Sequence, residues 1–352
     1  MSLKRLVRPE ILDLPTINVP EALPEMIRLN ANESPTSHWN DALNHSLHRY
    51  PPIRPYSIVK IIADLFEVQC DQILLSRGST EAIDIIIRTF CNPNKDQIII
   101  SPPTFDMYKF FATSNCIKTI EIPIHGDNEF NINVKDLIKK LTDRTKIIFI
   151  SSPNNPTGTS VCNDDIKYLL DAVKGRAIVV VDEAYIEFSS TKSLTREINN
   201  YNNLIILRTL SKAFSLAGIR CGAMISSSEC SELLKKILPP FCFATPVIQF
   251  IKSALLSKDL QATKKQIEFL IKERERVKNE LEKINCVNKI WKSDGNFLLV
   301  KFKNIDTVKN SLIDANVVVG LLKYPSLSDC ARITIGTRDQ NNELIEVLDN
   351  LN

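Results

Sequence analysis

The sequence predicts an α/β protein whose mostly parallel, mixed sheet is flanked by helices, followed by a smaller C-terminal α+β domain. Short apolar runs typical of buried strands alternate with segments of helical apolar spacing, and this alternation indicates βαβ units. The chain has 352 residues, more than one hydrophobic core usually organises, which favours two domains. The strands of the large sheet are predicted around Ile73, Gln97, Glu121, Ile147, Val179, Leu204 and Ala223.

Charge and cysteine usage exclude several classes of protein. The 44 basic and 41 acidic residues leave a net charge of +3, which is too balanced to indicate nucleic acid or an acidic membrane as a partner. The nine cysteines include no Cys-x-x-Cys pair, so neither a metal site nor a disulfide framework is indicated. The amino terminus lacks the apolar core of a signal peptide, and no apolar run reaches membrane-spanning length. We therefore expect a cytoplasmic protein with reduced thiols.

The first 45 residues are predicted as an N-terminal arm. Prolines recur between residues 1 and 30 and prevent a long helix, so this part is expected to be extended. A turn rich in asparagine, which includes Asn32, follows at residues 29–35. Apolar residues at helical spacing from Ser57 to Phe66 then open a large domain predicted to span residues 46–262.

A strand, a glycine turn and a helix are predicted between Ile73 and Phe90, with the turn at Gly78. The free N–H groups and aligned dipoles of a helix's first turn form a ready anion site. Ser79 and Thr80 lie in that turn, so they are candidate ligands for a phosphate group. A capped helix start with no ligand has the same pattern.

Three later apolar runs, predicted as strands, each lead into a polar residue. The runs lie at residues 147–150, 179–181 and 204–207. They are followed by Asn155, Asp182 and Lys212, respectively. Because ligands in open α/β sheets bind beyond the carboxyl ends of the strands, these three side chains are expected in one crevice.

Residues 263–352 are predicted as the small domain. The segment from Thr263 to Lys283 has apolar residues at helical spacing and charges of both signs, which predicts a long solvated helix connecting the two domains. Further strands are predicted at residues 296–302, 317–322 and 331–335, and further helices at residues 307–314 and in the last segment up to residue 351.

The residue types in the crevice point to pyridoxal phosphate (PLP). Lys212 can form a Schiff base with an aldehyde, and Asp182 can keep a pyridine nitrogen protonated. Tyr185 can donate to the phenolic oxygen of the ring, while Ser211 and Arg220 suit a phosphate dianion. Each residue alone is also typical of a structural role, such as a helix cap or a solvated helix start. Their combination, with the Asn155 amide able to reach the ring oxygen, indicates the cofactor.

Three segments carry a resemblance to a known family. They read Ser152-Pro-Asn-Asn-Pro-Thr-Gly158, Val181-Asp-Glu-Ala-Tyr-Ile-Glu-Phe188 and Arg208-Thr-Leu-Ser-Lys-Ala-Phe-Ser-Leu-Ala-Gly-Ile-Arg-Cys-Gly222. The chain resembles the fold-type I PLP-dependent aminotransferases over nearly its whole length, and is most similar to the histidinol-phosphate aminotransferase family. The resemblance implies the PLP-dependent transferase fold. It also implies a reversible reaction of histidine biosynthesis, in which histidinol phosphate and 2-oxoglutarate are converted to imidazole-acetol phosphate and glutamate.

The resemblance implies roles for residues elsewhere in the chain. Phe105 occupies the position of an aromatic residue that stacks on the cofactor ring, and Asn32 lies in a turn that faces the substrate. Tyr50 matches a tyrosine that crosses a dimer interface to the cofactor phosphate of the other subunit, which implies a homodimer with two shared sites. Arg332, in the segment Arg332-Ile-Thr-Ile-Gly-Thr-Arg338, would bind the anionic end of the substrate.

The sequence departs from the family's pattern at two positions, which affects the substrate assignment. Members often have a tyrosine in the arm, but no tyrosine precedes Tyr50. They often have a second arginine before the Pro-Ser-Leu-Ser segment, where this chain offers Lys323 as a replacement cation. An aromatic-amino-acid aminotransferase and a phosphothreonine decarboxylase of the same fold remain alternatives. A PLP-binding transcription regulator would need a helix-turn-helix module, for which the arm leaves no room.

Overall fold

The computed structural model describes residues 3–17, 26–38, 46–256 and 260–351, and the strands of these residues form two sheets. The larger sheet has seven described strands in the order β1-β7-β6-β5-β4-β2-β3. These strands are β1 (Ile73–Ser76), β2 (Gln97–Ile100), β3 (Lys118–Glu121), β4 (Thr145–Ser151), β5 (Ile178–Asp182), β6 (Leu204–Thr209) and β7 (Gly222–Ser226). The predicted βαβ alternation is confirmed.

Strand direction in the large sheet is mixed, as predicted. The strands β3, β2, β4, β5 and β6 pair in parallel, whereas β7 runs antiparallel to both of its neighbours, β6 and β1. Because β4, β5 and β6 are parallel, Ser151, Asp182 and Thr209 at their carboxyl ends share one edge of the sheet. That edge is where ligands of open α/β sheets bind.

Helices cover both faces of the large sheet, and alternate residues of its strands enter two separate cores. Ile148 and Ile150 of β4 join one apolar cluster, whereas Ile147 and Phe149 join the other. A strand buried on both faces is apolar at nearly every position, which explains the continuous runs in the sequence. The surrounding helices are α1 (Pro9–Leu12), α2 (Tyr56–Leu65), α3 (Gly78–Phe90), α4 (Met107–Ser114), α5 (Val134–Lys139), α6 (Asn163–Ala172), α7 (Ser228–Lys235) and α8 (Thr245–Leu256).

The start of the N-terminal arm packs on the large sheet. Leu3, Leu6 and Ile11 are buried in the same cluster as Ile147. The short helix α1 has a proline at its first position and does not continue, in agreement with the prediction that prolines prevent a long helix here. The expectation of an extended chain was wrong for this start of the arm, because residues 3–5 and 9–12 form short helical turns. Part of the predicted arm, residues 18–25 and 39–45, lies outside the described residues.

The smaller sheet is antiparallel and has four described strands in the order β10-β11-β9-β8. Its strands are β8 (Val287–Ile290), β9 (Phe297–Phe302), β10 (Gly320–Leu321) and β11 (Cys330–Thr334), and its helices are α9 (Leu260–Leu281), α10 (Ile305–Asp314) and α11 (Arg338–Asp349). The sequence pattern missed β8 and predicted a longer β10. Both strands are only partly buried, so their apolar residues are sparse.

The prediction that the connecting helix is solvated was wrong for the second half of α9. Glu273, Arg274, Val277 and Leu281 are buried there. The Arg274 guanidinium donates to the carbonyl oxygen of Gly295 at 2.8 Å, and more weakly to that of Phe188 at 3.4 Å. Buried charges require such partners, and the charge pattern of the sequence does not reveal them.

The described helices include none that is both long and apolar enough to cross a membrane. All nine cysteines lie in the described ranges and are free thiols.

Candidate active site

A cavity of about 270 Å³ lies at the carboxyl ends of β4, β5 and β6 and collects most of the predicted site residues. Its lining comes from the large-sheet unit, with Arg332 from the smaller sheet. The predicted residues that line it are Ser79, Thr80, Phe105, Asn155, Asp182, Tyr185, Ser211, Lys212, Arg220 and Arg332.

Asp182 supplies a buried carboxylate to this cavity. Its exposed fraction is 3%. The Tyr108 hydroxyl donates to Oδ2 at 2.8 Å, and the Ala184 backbone N–H donates to Oδ1 at 3.1 Å. Burial raises the pKa of Asp182 to about 6, and these two hydrogen bonds with the charge of Lys212 limit the rise. A cationic ligand in the cavity would therefore be strongly favoured beside this group.

Tyr108 is not among the site residues that the sequence predicts, although its hydroxyl donates directly to Asp182. It lies in α4, is fully buried, and stacks on Phe149 with ring centroids 4.7 Å apart. Phe105 meets it edge-on at 5.7 Å. The sequence signal that could have identified Tyr108 is its position: it is a polar aromatic residue one helical turn after Phe105, on the buried face of a helix.

Lys212 and Tyr185 face each other across the cavity. The Lys212 ammonium lies 5.7 Å from the centroid of the Tyr185 ring. Burial, followed by the positive charges of Arg332 and Arg220, lowers the pKa of Lys212, and Asp182 opposes the change. Burial also raises the pKa of Tyr185 to about 12, so this phenol stays protonated at neutral pH and can donate a hydrogen bond.

One end of the cavity forms a cup suited to a phosphate group. The helix α3 begins there at Gly78, whose φ is +78°. This left-handed backbone favours glycine, and a Cβ there would also lie 2.8 Å from Nη2 of Arg220. Arg220 Nη1 lies 3.4 Å from Ser211 Oγ. Ser79 and Thr80 complete the cup from the first turn of α3.

Arg332 enters the same cavity from β11 of the smaller sheet. Its Nη1 donates to Oδ1 of Asn155, and its guanidinium carbon lies 5.7 Å from the ring centroid of Phe297. With Oδ1 of Asn155 accepting from Arg332, the other amide atom, Nδ2, can act as a donor. The planar guanidinium can bind paired oxygens of a carboxylate or a phosphate.

Three predicted site residues lie outside this cavity. Asn32 and Tyr50 line a separate surface pocket together with His48 and Pro246. Lys323 lines an adjoining cavity of about 560 Å³ that shares the Phe105 side chain with the first. Within the described part of one chain, these residues therefore do not join Lys212.

The residues in the cavity fit PLP. A protonated ring nitrogen would complement the buried carboxylate of Asp182, and Phe105 presents an aromatic side chain for stacking. The cup at Gly78 combines a cation, hydroxyl groups and a helix N-terminus, which together suit a phosphate dianion. Lys212 is the amine available between these two ends.

Comparison with known proteins agrees with the geometry. Residues 15–348 match the family described as aminotransferase class I and II. A histidinol-phosphate aminotransferase of Escherichia coli O9:H4 (strain HS) is 39% identical over 321 residues, which cover 91% of this chain and 89% of that protein. The match therefore includes both sheets.

Two solved structures share the architecture. The histidinol-phosphate aminotransferase from Clostridium acetobutylicum has a TM-score of 0.78 at 25% identity, covering 87% of this chain and 91% of its own. The histidinol-phosphate aminotransferase from Sinorhizobium meliloti, solved in complex with pyridoxal-5'-phosphate, has a TM-score of 0.78 at 17% identity, covering 88% of this chain and 84% of its own, which is a likeness of fold alone. On the family match and the identity to its curated relatives, the chain belongs to the class I and II aminotransferases, among the histidinol-phosphate aminotransferases.

Proposed function

We propose that this chain is a PLP-dependent aminotransferase that reversibly transfers the amino group of histidinol phosphate to 2-oxoglutarate, which gives imidazole-acetol phosphate and glutamate. The observation that carries the proposal is that Lys212, Asp182 and Arg332 line one cavity, although they come from two different sheets. This arrangement supports a lysine for covalent attachment, a carboxylate for a ring nitrogen and a guanidinium for an anionic substrate group.

In this proposal the cavity holds PLP by residues already described. Ser79, Thr80, Ser211 and Arg220 hold the phosphate, Asp182 holds the ring nitrogen, Phe105 stacks on the ring, and Asn155 with Tyr185 binds the ring oxygen. When bound, the pyridinium ring of PLP accepts the electron pair that remains on a substrate carbon after its proton leaves.

Lys212 moves the proton in the proposed reaction. Because burial and the charges of Arg332 and Arg220 lower the pKa of Lys212, a larger fraction of its Nζ is neutral near pH 7. The neutral Nζ can take the proton from the substrate carbon that bears the amino group. As an ammonium it can return that proton in the following step.

Arg332 binds the anionic end of both substrates in turn. Its planar guanidinium matches the paired oxygens of the glutamate carboxylate and of the histidinol phosphate phosphoryl group. The hydrogen bond to Asn155 fixes the guanidinium beside the ring-oxygen site. Lys323 contributes its charge from the adjoining cavity, on the other side of Phe105.

The proposal includes a homodimer in which Tyr50 completes the site of the partner subunit. Tyr50 is 51% exposed and stacks near Phe241 at 4.9 Å, outside the cavity of its own chain. Its backbone N–H donates to Glu33 at 2.7 Å, which holds it beside the turn that contains Asn32. Several apolar side chains of these stretches are exposed, as expected of a surface that a partner covers: Met26, Ile27, Leu29, Leu47 and Tyr56. Asn32 would then face the substrate in the assembled dimer.

Two further assignments, of domain boundaries and of location, belong to the same proposal. We place the domain boundaries after residues 45 and 262, the second of which falls in the first turn of α9. We also place the enzyme in the cytoplasm, because its nine free thiols include the exposed Cys116 and Cys162, which suit a reducing compartment.

A spectral titration tests the substrate assignment. The PLP-loaded protein is mixed separately with glutamate, histidinol phosphate, phenylalanine and phosphothreonine, and the visible absorption band of the lysine-linked cofactor is followed. We expect glutamate and histidinol phosphate to convert it to the pyridoxamine form. Conversion by phenylalanine but not by histidinol phosphate would replace the proposal with an aromatic aminotransferase. Release of carbon dioxide from phosphothreonine would replace it with a decarboxylase.

A further inference from the structure

The hydroxyl of Tyr324 links the smaller sheet unit to a loop of the large domain. Its oxygen lies 2.7 Å from the carbonyl oxygen of Thr104 and 2.6 Å from Oδ1 of Asp106, so its single proton can be donated to either acceptor. The Thr104 backbone N–H lies 3.4 Å from the same oxygen. Burial, together with the neighbouring Asp106 carboxylate, raises the pKa of Tyr324, so the hydroxyl remains a donor throughout the neutral range.

These contacts bracket Phe105, whose side chain lines the active-site cavity. The same loop is tied to the segment of the ring-oxygen site, since Thr104 Oγ1 donates to Oδ1 of Asn154 at 2.8 Å. The Asn154 amide in turn donates to the carbonyl oxygen of Pro103 at 2.9 Å. The position of Phe105 therefore depends on a short set of hydrogen bonds, of which those from Tyr324 come from the other sheet unit.

Tyr324 is joined to the unit that carries Arg332 by packing and by chain connection. Its ring packs in an apolar cluster that includes Trp291 and Leu299 of that unit, together with Ile124 and Phe130 of the large domain. Three residues earlier in the chain, β10 pairs with β11, and Gly320 lies opposite Arg332 in the register. A displacement of the smaller unit that moved Arg332 would therefore also pull on the loop of Phe105.

We infer that Tyr324 is a positioning residue, whose hydroxyl holds Phe105 in place over the cofactor site and sets the separation between that site and Arg332. The inference rests on the proposed assignment of the cavity. Its test must therefore distinguish two cases: the Tyr324 hydrogen bonds play no part in positioning, or the cavity does not bind PLP at all.

The test measures PLP binding to the full-length protein with Tyr324→Phe, which keeps the ring and removes the hydroxyl. We expect the dissociation constant of PLP to rise about 3- to 10-fold, the effect of losing one net hydrogen bond. The visible circular dichroism of the bound cofactor should fall, because the ring is held less uniformly. The KM for glutamate should rise as well, since one of the contacts that set the distance of Arg332 from the cofactor site is lost.

Three further variants make the result decisive. Asp106→Ala removes an acceptor at an exposed position, so it should weaken PLP binding in the same direction, and its effect should not add to that of Tyr324→Phe. Asp106→Asn keeps an acceptor oxygen and should restore most of the affinity. Tyr168→Phe removes an exposed hydroxyl on α6 and should change nothing.

Three outcomes contradict the inference or the site on which it rests. If Tyr324→Phe and Asp106→Ala both bind PLP with wild-type affinity and circular dichroism, the link plays no part in positioning, although the site stands. If Lys212→Ala leaves the visible spectrum of the loaded protein unchanged, the assignment of the cavity itself is wrong. Additive effects of Tyr324→Phe and Asp106→Ala would mean that the two side chains act separately, which contradicts the proposed link.

Discussion

At the scale of single residues, the buried carboxylate of Asp182 lowers the stability of the folded protein while it serves the proposed cofactor site. Burial raises its pKa from an ordinary value of 3.8 to about 6. The folded protein therefore binds this proton more tightly than the unfolded chain does between roughly pH 4 and pH 6. Above pH 6 the ionised, buried carboxylate costs stability, by about 3 kcal/mol on the scale of the pKa change. That cost fades as the pH falls through 6, because the folded protein then takes up the proton.

We expect Asp182→Asn to stabilise the cofactor-free protein at pH 7.5 by about 1–3 kcal/mol, since asparagine carries no charge to bury. The gain should shrink at pH 5, where the wild-type carboxyl is largely protonated. Urea unfolding of both proteins at the two pH values measures the difference. A gain of equal size at both pH values would show that the burial of charge is not its cause. PLP binding should weaken in the same variant, because the ring nitrogen loses its anionic partner.

The site residues that follow strands were predictable, and those whose role depends on packing were not. Asn155, Asp182 and Lys212 follow apolar runs, and the geometry of parallel strands places them at one edge without knowledge of the rest. Tyr108 reaches Asp182 only because α4 packs against the sheet, and no spacing in the sequence encodes that contact. Similarly, Lys323 was chosen for its charge, but the neighbouring residue, Tyr324, makes the contacts with the large domain.

At the scale of secondary-structure elements, most strands of the large sheet could be predicted because they are buried on both faces. The strands of the small sheet could be predicted only in part, because some of them are partly exposed. The run of Ile178 to Val181 is apolar at every position because alternate side chains enter two cores. The strand β8 has the sequence Val-Asn-Lys-Ile and is partly exposed, so it lacks that signal. Helix α9 shows the opposite problem: its charges of both signs predicted a solvated connector, yet four residues of its second half are buried.

The burial of α9 has a measurable consequence at Arg274. Its guanidinium donates to the carbonyl oxygens of Gly295 and Phe188, which belong to different sheet units. Arg274→Ala would leave these buried acceptors unsatisfied, so we expect a loss of about 2–4 kcal/mol in the free energy of unfolding. The exposed Lys272, two positions earlier, offers a matched control, and Lys272→Ala should stay within about 0.5 kcal/mol of the wild type. Equal stabilities of the two variants in urea would contradict the role assigned to Arg274.

At the scale of the whole molecule, the cavity of one chain contains every proposed cofactor ligand except Tyr50. In the proposed dimer, each site takes Lys212 and Arg220 from one subunit and Tyr50 from the other. Symmetry then requires that both sites be shared in the same way. Because Lys212 and Tyr50 of one proposed site belong to different subunits, mixing subunits with different substitutions can test which subunit supplies Tyr50.

We expect mixed dimers of Lys212→Ala and Tyr50→Phe subunits to recover activity that neither variant has alone. One site of the mixed dimer carries both substitutions, and the other carries neither, so about half of the wild-type activity should return. The two variants can be co-expressed with different affinity tags, and the mixed dimers isolated by two successive purifications. The assay uses a PLP concentration at which the Tyr50→Phe homodimer is largely empty, since loss of a hydrogen bond to a charged group weakens binding by about 10-fold or more.

The matched control pairs Lys212→Ala with Arg220→Ala, because both residues line the cavity of the same chain. Each site of that mixed dimer carries one substitution, so no recovery is expected. If the Lys212→Ala and Tyr50→Phe pair also fails to recover activity, Tyr50 does not act on the partner's site. If the tagged subunits never purify together, the chain does not form the dimer. If activity recovers when Lys212→Ala is paired with Tyr50→Phe but not when it is paired with Arg220→Ala, then each site takes Lys212 and Tyr50 from different subunits.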